Sequence, residues 1–327
     1  MKHPVAVVMG GYSSEYEVSL ASGNQVYQNL SRSLFEPYRV IITKSEWYVI
    51  TDDDKRFGID LNDFSCRIKD QHIRFAAVFN AIHGSPGEDG PLAGYFSMLG
   101  IPQTASDHFV SALTFNKVEC SMLLRQHGIT TAEACYLQPG ENYVPAEISA
   151  ELGLPCFVKP SRSGSSIGIT KVKGEEDLKP AIDLAFKVDN QVIIERMISG
   201  TEVACGVSNH SGEVKAFAIT DIVPHNEFFD YESKYSGLSE EVTPARIDEG
   251  TYQQIIEETE FIYQKLRLNG LARVDYIVSE NGVPFFIEVN TVPGLSGESI
   301  LPKQIDYCGY SAGEVFDQCL LQTLNKK

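Results

Sequence analysis

The stretch LARVDYIVSENGVPFFIEVNTVPG, residues 271–294, is the part of the chain whose local structure the sequence predicts in most detail. Two apolar runs flank Asn281-Gly282, and Asn-Gly between such runs is the strongest short-range signal for a two-residue β-hairpin turn. A turn of that length sets Glu280 opposite Val283 and so fixes which residues face each other along both strands. The stretch therefore predicts an antiparallel hairpin of defined register.

The predicted register brings four polar side chains together on one face of this hairpin. Asp275 lies directly opposite Glu288, and Arg273 lies opposite Asn290, because side chains return to the same face every two residues. Opposed carboxylates are destabilising unless something lies between them, and carboxylate and amide oxygens are ligands that suit Mg²⁺. We therefore predict a metal site at Asp275, Glu288 and Asn290, with Arg273 placed to hold an anion. The alternative is a solvated polar face with a chance acid pair, and a longer turn would shift the register.

Outward from the hairpin, the N-terminal third alternates strand and helix patterns. Strands are predicted at Val5–Met9, Tyr38–Ile42 and Ala76–Ala81, and helices at Glu15–Leu30 and Leu92–Leu99. Such alternation is typical of a mostly parallel sheet covered by helices, which is an α/β arrangement.

The rest of the chain has shorter strands and an α+β pattern. Strands are predicted at Cys156–Lys159 and Ile169–Val172, on either side of the loop SRSGSSIG, residues 161–168. A helix with one apolar face is predicted over Tyr252–Leu268. Three domains are expected, at residues 1–107, 108–190 and 191–327.

The loop SRSGSSIG has the composition of a flap that covers an anion. Lys159 ends the strand before it, and its backbone N–H groups, hydroxyls and glycines permit close approach to a phosphate. The Walker sequence G-x-x-x-x-G-K-[ST] is absent, and Gly10-Gly11 lacks G-x-G-x-x-G, so a nicotinamide site is not favoured. The alternative interpretation of the loop is a flexible hairpin tip. Lys117, in the stretch TFNK, could likewise be an ordinary solvated lysine on a helix.

Composition and charge limit the partners. The 327 residues are 43% hydrophobic and 22% charged, which is typical of a folded globular protein. The formal net charge of −17 argues against nucleic acid and anionic membranes, so a polyanionic ligand would need a local cation cluster or a metal. No apolar run approaches the roughly 20 residues of a membrane span, and the start of the chain does not resemble a signal peptide. Seven scattered cysteines without a C-x-x-C pair predict reduced thiols in a cytoplasmic protein.

Seven segments, in order along nearly the whole chain, resemble the motifs of the D-alanine–D-alanine ligases, a family of the ATP-grasp superfamily. They are GGYSSEYEVSLASG, HGSPGEDGPLAGYFSMLGIPQTAS, LPCFVKPSRSGSSIGITKV, ERMISGTEV, DYESKY, ARVDYIV and FFIEVNTVPGLSGESILP. The resemblance implies a three-domain ATP-grasp fold of α/β and α+β parts with an N-terminal parallel-sheet domain. It also implies that ATP phosphorylates the carboxylate of one D-alanine and that the amine of a second D-alanine displaces the phosphate, which supplies a peptidoglycan precursor.

The resemblance further implies the cofactors, the partners and the site residues. It implies ATP and two Mg²⁺ ions, replaceable by Mn²⁺, with D-alanine as substrate, a homodimer and a cytoplasmic location. The residues that would contact ATP are Lys117, Lys159, Ser166, Glu195, Ile198, Glu202 and Lys234. The metal ligands would be Asp275, Glu288 and Asn290, with Glu288 bridging the two ions. The substrates and reacting groups would contact Glu15, His83, Ser165, Tyr235, Arg273, Gly294 and Ser299.

Individual roles in the substrate set follow from the same resemblance. Glu15 would hold the ammonium group of the first D-alanine, with His83 near that subsite. Arg273 and the Gly294 N–H would form an oxyanion hole, and Ser299 would bind the carboxylate of the second D-alanine.

The resemblance also assigns roles to nucleotide contacts and to two loops. Glu195 and Ile198 would contact adenine, and Glu202 would contact the ribose hydroxyls. Ser165 and Tyr235 would link the glycine-rich loop to the second loop, and Lys234 would reach the γ-phosphate. Residues 161–168 and 228–237 are predicted to be mobile without nucleotide and ordered with it.

Several positions differ from the family pattern and leave alternatives open. Ala93 and Ser97 stand where glutamine and glutamate are common, and Leu295-Ser296 replaces a frequent Met-Thr pair. These positions surround the bonding residues and bear on the subsite of the second substrate. One alternative is another ATP-grasp carboxylate ligase, such as a D-alanine–D-lactate ligase. The other is a non-catalytic ATP-binding regulatory module.

Overall fold

The structure is a computed structural model that describes residues 2–224 and 239–325. Its N-terminal sheet has seven strands in the order β6-β5-β4-β3-β2-β1-β7. The strands are β1 (His3–Gly10), β2 (Phe35–Ile42), β3 (Trp47–Ile50), β4 (Arg56–Asp60), β5 (Ser65–Ile68), β6 (Gln71–Arg74) and β7 (Ala77–Asn80). Helices α1 (Tyr16–Asn29) and α2 (Pro91–Leu99) follow β1 and β7. The α/β class predicted for this part is confirmed.

The pairing within this sheet corrects one expectation. Strand β1 pairs in parallel with β2 and β7, which are the three predicted strands. Strands β2 to β6 pair antiparallel in chain order, so the sheet is mixed and the expectation of a mostly parallel sheet is wrong. The missed strands are four or five residues long, and β4 and β6 are largely exposed, so they carry little hydrophobic signal.

A four-stranded antiparallel sheet with the order β10-β9-β11-β8 forms the centre of the chain. Its strands are β8 (Ala134–Leu137), β9 (Cys156–Pro160), β10 (Thr170–Val172) and β11 (Val192–Arg196). Helices α5 (Pro145–Leu152) and α6 (Leu178–Ala185) cover it, and Leu178, Ala181, Ile182 and Ala185 of α6 are buried in its core. The glycine-rich loop, residues 161–168, connects β9 to β10.

A five-stranded antiparallel sheet with the order β14-β13-β12-β15-β16 follows. Its strands are β12 (Gly200–Ser208), β13 (Lys215–Pro224), β14 (Ser239–Val242), β15 (Leu271–Ser279) and β16 (Pro284–Asn290). The remaining α-helices of the described residues are α3 (His108–Phe115), α4 (Lys117–Gln126), α7 (Glu249–Leu266), α8 (Ile300–Tyr307) and α9 (Ala312–Asn325). The predicted apolar face of α7 is buried at Ile255, Thr259, Ile262 and Leu266.

The cores of these parts do not follow the chain order strictly. Helices α3 and α4 contact β16, and Val110 and Leu124 belong to the core of the C-terminal sheet. Another core joins β1 and α1 to α8 and α9, with Val7 and Phe79 packed in the same cluster as Phe316. Strand β11 begins after residue 190 but pairs in the central sheet, so sheet membership favours a boundary between Arg196 and Gly200 over one at 190.

The β15–β16 hairpin has the predicted central register but not the predicted turn. Ser279, not Glu280, faces Val283, because the Ser279 N–H donates to the Val283 carbonyl at 2.9 Å. The turn therefore has three residues and ends at Gly282, whose φ of +77° lies in the left-handed region that glycine adopts at low cost. A β-bulge then inserts Ile287 as an extra residue in β16.

The bulge offsets the longer turn. Beyond it, Asp275 is again opposite Glu288, and Arg273 is opposite Asn290. The four polar side chains therefore share one face, as predicted. No helix within residues 2–224 and 239–325 has both the length and the apolar character needed to cross a bilayer.

Candidate active site

Two adjoining cavities collect the predicted site residues that the structure describes. The first, which we name the Lys159 cavity, has a volume of about 140 Å³ and lies between the central and C-terminal sheets. The predicted residues that line it are Lys117, Lys159, Ser165, Ser166, Glu195, Ile198, Glu202, Asp275 and Glu288. The second, the Arg273 cavity, has a volume of about 490 Å³. The predicted residues that line it are Glu15, His83, Lys117, Ser165, Arg273, Glu288, Asn290, Gly294 and Ser299.

The hairpin carboxylates are each paired with a cation. The Arg273 guanidinium donates to Asp275 twice, from Nε and Nη2, at 2.7 Å each. Asn290 Nδ2 also donates to Asp275, at 3.0 Å, and Lys117 Nζ lies 2.9 Å from Glu288 Oε2. The repulsion expected between the opposed acids is therefore offset by two cations from the chain itself.

The hairpin offers only a few oxygen ligands, but their chemistry suits a hard divalent cation. Among the residues of the described ranges, no three acidic, histidine or cysteine side chains form a metal-holding cluster. Asp275, Glu288 and the Asn290 amide oxygen could supply three oxygen ligands on one face, and Mg²⁺ usually completes its shell with water and phosphate oxygens. The residues therefore fit Mg²⁺ bound together with a phosphate ligand, and such binding would draw the carboxylates away from Lys117 and Arg273.

Lys117 connects the hairpin to the glycine-rich loop. Asn116 caps α4 by accepting from the Glu119 N–H at 3.1 Å, which places Lys117 in the first turn. Its Nζ donates to the Ser163 carbonyl at 2.8 Å as well as to Glu288. Burial alone would lower the pKa of Lys117, but the neighbouring Glu288 carboxylate raises it above its usual value. Lys117 is therefore a permanent cation between the two cavities.

Lys159 and Glu195 form a second ion pair in the Lys159 cavity. The two residues project from neighbouring strands β9 and β11, and Lys159 Nζ lies 2.5 Å from Glu195 Oε2. Their side chains are 15% and 18% exposed. A nucleotide whose phosphates used Lys159 would have to replace this contact.

The glycine-rich loop is bound to the N-terminal part at its tip. Ser165 Oγ donates to Glu15 Oε1 at 2.7 Å, and a Cβ on Gly164 would lie 2.8 Å from Glu15 Oε2. Glycine at 164 is therefore required for this close approach. Ser165 and Ser166 have φ of +51° and +57°, a conformation that residues other than glycine sparsely populate.

His83 lies beside the Arg273 cavity, but both of its ring nitrogens contact the protein. Nδ1 lies 2.7 Å from the Val292 carbonyl, and Nε2 lies 2.9 Å from Ser22 Oγ. Burial lowers the pKa of His83, so the ring is neutral near pH 7. The resemblance placed His83 near the first-substrate subsite, and the structure gives its polar atoms protein partners.

Sequence reasoning missed Glu88, which lines the same cavity. Its side chain is buried and accepts from the Gly84 N–H at 3.0 Å. Burial, with the nearby Glu15 carboxylate, raises the pKa of Glu88 to about 7. Its position within HGSPGEDG was the only available signal, because nothing local to that stretch indicates which acid is buried.

Ser299 precedes α8 at the N-cap position but does not cap the helix. Its Oγ instead lies 2.8 Å from Ser296 Oγ, and both serines line the Arg273 cavity. The first backbone N–H groups of α8 are therefore not used by the Ser299 side chain, and they can bind an anion such as a carboxylate. The predicted residues Lys234 and Tyr235 lie outside the described residues.

Comparisons with known proteins define the class of this chain. Its residues 4–106 match the family model described as D-ala D-ala ligase N-terminus, and residues 123–321 match D-ala D-ala ligase C-terminus. The chain belongs to the D-alanine–D-alanine ligase family, an ATP-grasp enzyme family, which confirms the resemblance and the fold class predicted from the sequence.

Individual relatives match over nearly their whole length. The D-alanine–D-alanine ligase of Christiangramia forsetii is 47% identical over 327 residues, covering 100% of both chains. The enzyme of the same name from Flavobacterium johnsoniae is 46% identical, covering 97% of this chain and 98% of its own.

Two solved structures are similar throughout. The VanG D-Ala:D-Ser ligase from Enterococcus faecalis has a TM-score of 0.88 and 34% identity, covering 99% of this chain and 100% of its own. The D-alanine–D-alanine ligase from Bacillus anthracis complexed with ATP has a TM-score of 0.79 and 27% identity, covering 99% and 98%.

Proposed function

We propose that this chain catalyses the ATP-dependent ligation of two D-alanine molecules to D-alanyl-D-alanine, through an acyl phosphate. The observation that carries the proposal is that the two cavities meet at shared residues. Lys117 and Glu288 line both, so a phosphate in the Lys159 cavity would meet a carboxylate substrate in the Arg273 cavity. This arrangement suits phosphoryl transfer, in which positioning and charge stabilisation supply most of the catalysis.

The nucleotide would occupy the Lys159 cavity. Lys117 and Lys159 would exchange their carboxylate partners for phosphate oxygens, with the N–H groups of the glycine-rich loop, including that of Ser166, covering the phosphates. Glu195 and Ile198 would contact adenine. Glu202 would accept from the ribose hydroxyls, and Lys234 would reach the γ-phosphate.

Asp275, Glu288 and Asn290 would hold the metal, with Glu288 between two ions. Bound Mg²⁺ neutralises phosphate charge and aligns the phosphate oxygens for transfer. Two ions, and the ability of Mn²⁺ to substitute, are part of this proposal. The support from the structure is that all three side chains are on the face of the hairpin that lines the cavities.

The first D-alanine would bind with its ammonium group at Glu15 and its carboxylate at Arg273. Since Arg273 uses one N–H of Nε and one of Nη2 to bind Asp275, the two Nη1 N–H groups and the second Nη2 N–H could donate to the substrate. As the second amine attacks, the developing oxyanion would accept from Arg273 and from the Gly294 N–H. Ser165, held at Glu15, would keep the loop closed so that water does not reach the acyl phosphate.

The second D-alanine would bind its carboxylate at Ser299 and the first turn of α8. The Ser299 hydroxyl is not engaged in capping, which leaves hydroxyl and backbone N–H groups for that carboxylate. Tyr235 is proposed as the partner of Ser165 from the second loop. The substrate would be consumed in the cytoplasm as a step toward peptidoglycan.

Assembly, location and domain organisation are proposed with the same function. We propose a homodimer that does not bind nucleic acid or membranes. Of the three domains predicted at 1–107, 108–190 and 191–327, we propose that the second extends past β11, to a boundary between Arg196 and Gly200. The seven scattered cysteines, none of them in a C-x-x-C pair, support a reducing compartment. Gel filtration with light scattering would test the dimer.

The deciding experiment measures phosphate release from ATP by the purified chain and identifies the product by mass. We expect release that requires both D-alanine and Mg²⁺, with D-alanyl-D-alanine as product. A product formed only when D-lactate or D-serine is added would favour the alternative carboxylate ligases. D-serine is included because one solved relative is named a D-Ala:D-Ser ligase. ATP binding without release under any of these conditions would favour a regulatory module.

A further inference from the structure

Residues 292–295, which we name the oxyanion loop, are held by three side chains from the N-terminal part of the chain. The Val292 carbonyl accepts from His83 Nδ1 at 2.7 Å, and the Val292 N–H points to Glu88 Oε1 at 3.4 Å. The Leu295 N–H donates to Ser22 Oγ at 3.0 Å. These contacts join residues more than 200 positions apart and are all buried.

The hydrogen-bond directions in this group are determined by its chemistry. A carbonyl can only accept, so His83 Nδ1 carries the proton toward Val292. A neutral ring then accepts at Nε2, and Ser22 donates its hydroxyl proton there at 2.9 Å. The lone pairs of the same hydroxyl accept from the Leu295 N–H. One continuous set of hydrogen bonds therefore crosses from α1 through His83 to both ends of the oxyanion loop.

The remaining backbone donor of the loop is the one that the proposed reaction needs. Pro293 has no N–H, and the N–H groups of Val292 and Leu295 are directed to Glu88 and Ser22. Within residues 2–224 and 239–325, the Gly294 N–H has no hydrogen-bond partner, and Gly294 lines the Arg273 cavity. The hydrogen bonds at Val292 and Leu295 therefore fix the backbone on both sides of the Gly294 N–H.

We propose that Ser22, His83 and Glu88 are positioning residues that fix the Gly294 N–H for the developing oxyanion. This inference rests on the proposed ligase function. An interaction made with the oxyanion is stronger in the transition state than in the ground state, so its loss lowers kcat more than it raises KM. Because removing one oxyanion-hole donor typically costs about 100- to 1000-fold in kcat, misdirecting one should cost roughly 10- to 100-fold.

The chain offers a matched control on the same helix. Ser19 is as buried as Ser22, and its hydroxyl also bridges two groups, donating to the Ala81 carbonyl at 2.7 Å and accepting from the Gly10 N–H at 2.8 Å. Those partners are the last residue of β1 and the residue that follows β7, and neither is in the oxyanion loop. Ser19→Ala and Ser22→Ala therefore remove comparable hydrogen bonds and differ in whether the loop is affected.

The experiment compares steady-state ligation and amide hydrogen exchange for both variants. Ser22→Ala should lower kcat roughly 10- to 100-fold, with the KM values for D-alanine and ATP within about threefold of wild type. It should also speed exchange of the Leu295 amide. Ser19→Ala should leave kcat and Leu295 exchange near wild-type values. A KM increase without a kcat loss, or equal kcat values in both variants, would overturn the proposal.

A second pair of variants guards against a folding defect in Ser22→Ala. An asparagine side-chain amide can reach the place of imidazole Nδ1, so His83→Asn should retain donation to Val292 and keep more kcat than His83→Leu. Equal loss in the two His83 variants would contradict the positioning role. If wild type itself forms no dipeptide, the ligase proposal fails. The exchange rate of the Leu295 amide in Ser22→Ala, compared with Ser19→Ala, would still test whether Ser22 holds the oxyanion loop.

Discussion

Replacing Glu288 by glutamine should destabilise the unliganded protein as well as stop ligation. From the sequence, two opposed carboxylates suggest that neutralising one would relieve repulsion. The structure argues the opposite, because Lys117 lies 2.9 Å from Glu288 while Arg273 neutralises Asp275. Removing the Glu288 charge therefore leaves Lys117 without its carboxylate partner.

The size of the loss follows from the burial of the pair. Removing one partner of a fully buried ion pair costs about 3–5 kcal/mol. The Lys117 and Glu288 side chains are 12% and 21% exposed, and glutamine can still accept a hydrogen bond from Lys117. We therefore expect a loss of about 2 kcal/mol, below that range. If the chain unfolds in one transition, this corresponds to a fall in Tm of about 3 °C for a protein of this length.

The assay is thermal unfolding of the apo proteins, with an exposed ion pair as control. Lys179 and Asp183 lie at the same distance, 2.9 Å, but are 67% and 55% exposed, so Asp183→Asn should change stability by less than about 0.5 kcal/mol. In the double variant Lys117→Met/Glu288→Gln, the losses should not add, because both changes remove the same contact. A Tm for Glu288→Gln at or above that of wild type would refute the pairing argument.

The same variant should be nearly inactive, since the proposed bridging ligand has lost its charge. We expect dipeptide formation to fall by at least about 100-fold at saturating ATP and Mg²⁺, or roughly 3 kcal/mol of transition-state stabilisation. The increase in Tm on adding ATP and Mg²⁺ should also shrink relative to wild type. Dipeptide formation at a near wild-type rate would remove Glu288 from the site.

Three other outcomes are expected. The pKa of Glu88 is about 7 in the folded protein, above its usual 4.5. The folded state therefore holds this proton more tightly than the unfolded state does, and that contribution to stability is lost as the pH rises from 4.5 through 7. The free energy of unfolding, measured at pH 5 and pH 7.5, should change less in Glu88→Gln than in wild type. Gly164→Ala should lower the ligation rate at least about tenfold, because its Cβ would meet Glu15, whereas Gly58→Ala, with no atom within 4 Å of its Cβ, should leave the rate unchanged. Amide exchange in residues 161–168 should slow on adding an ATP analogue and D-alanine, and equal strong protection in both states would contradict a closing flap.

The hairpin shows how far local sequence patterns determine this site. Asn281-Gly282 predicted a two-residue turn, and the observed turn has three residues because Gly282 takes the left-handed position at its end. The register of Asp275 with Glu288 is nevertheless as predicted, because the bulge at Ile287 adds one residue on the same strand. A bulge in an apolar run has no reliable local signal, so the prediction of the facing acids was right while its stated basis was incomplete.

Contacts between distant segments could not be predicted from the same patterns. The order of the motifs predicted a set of site residues, and those within the described ranges line the two cavities. Their partners in the unliganded protein, such as Glu195 for Lys159, depend on how two strands align. The buried Glu88 side chain bonds to Gly84 of its own loop and to Val292 of the oxyanion loop, and the second of these contacts joins segments far apart in sequence.

These ion pairs also explain how so acidic a chain can offer a site for a polyanion. The cavities contain the cations Lys117, Lys159 and Arg273, but each is matched by a carboxylate, so the unliganded site is not a bare positive surface. Lys117 would give up Glu288 on binding a phosphate, and Glu288 could then help to hold a divalent cation. Under the proposed function, nucleotide and metal therefore favour each other's binding through partners that the chain already holds, and neither charge has to be buried without a counterion.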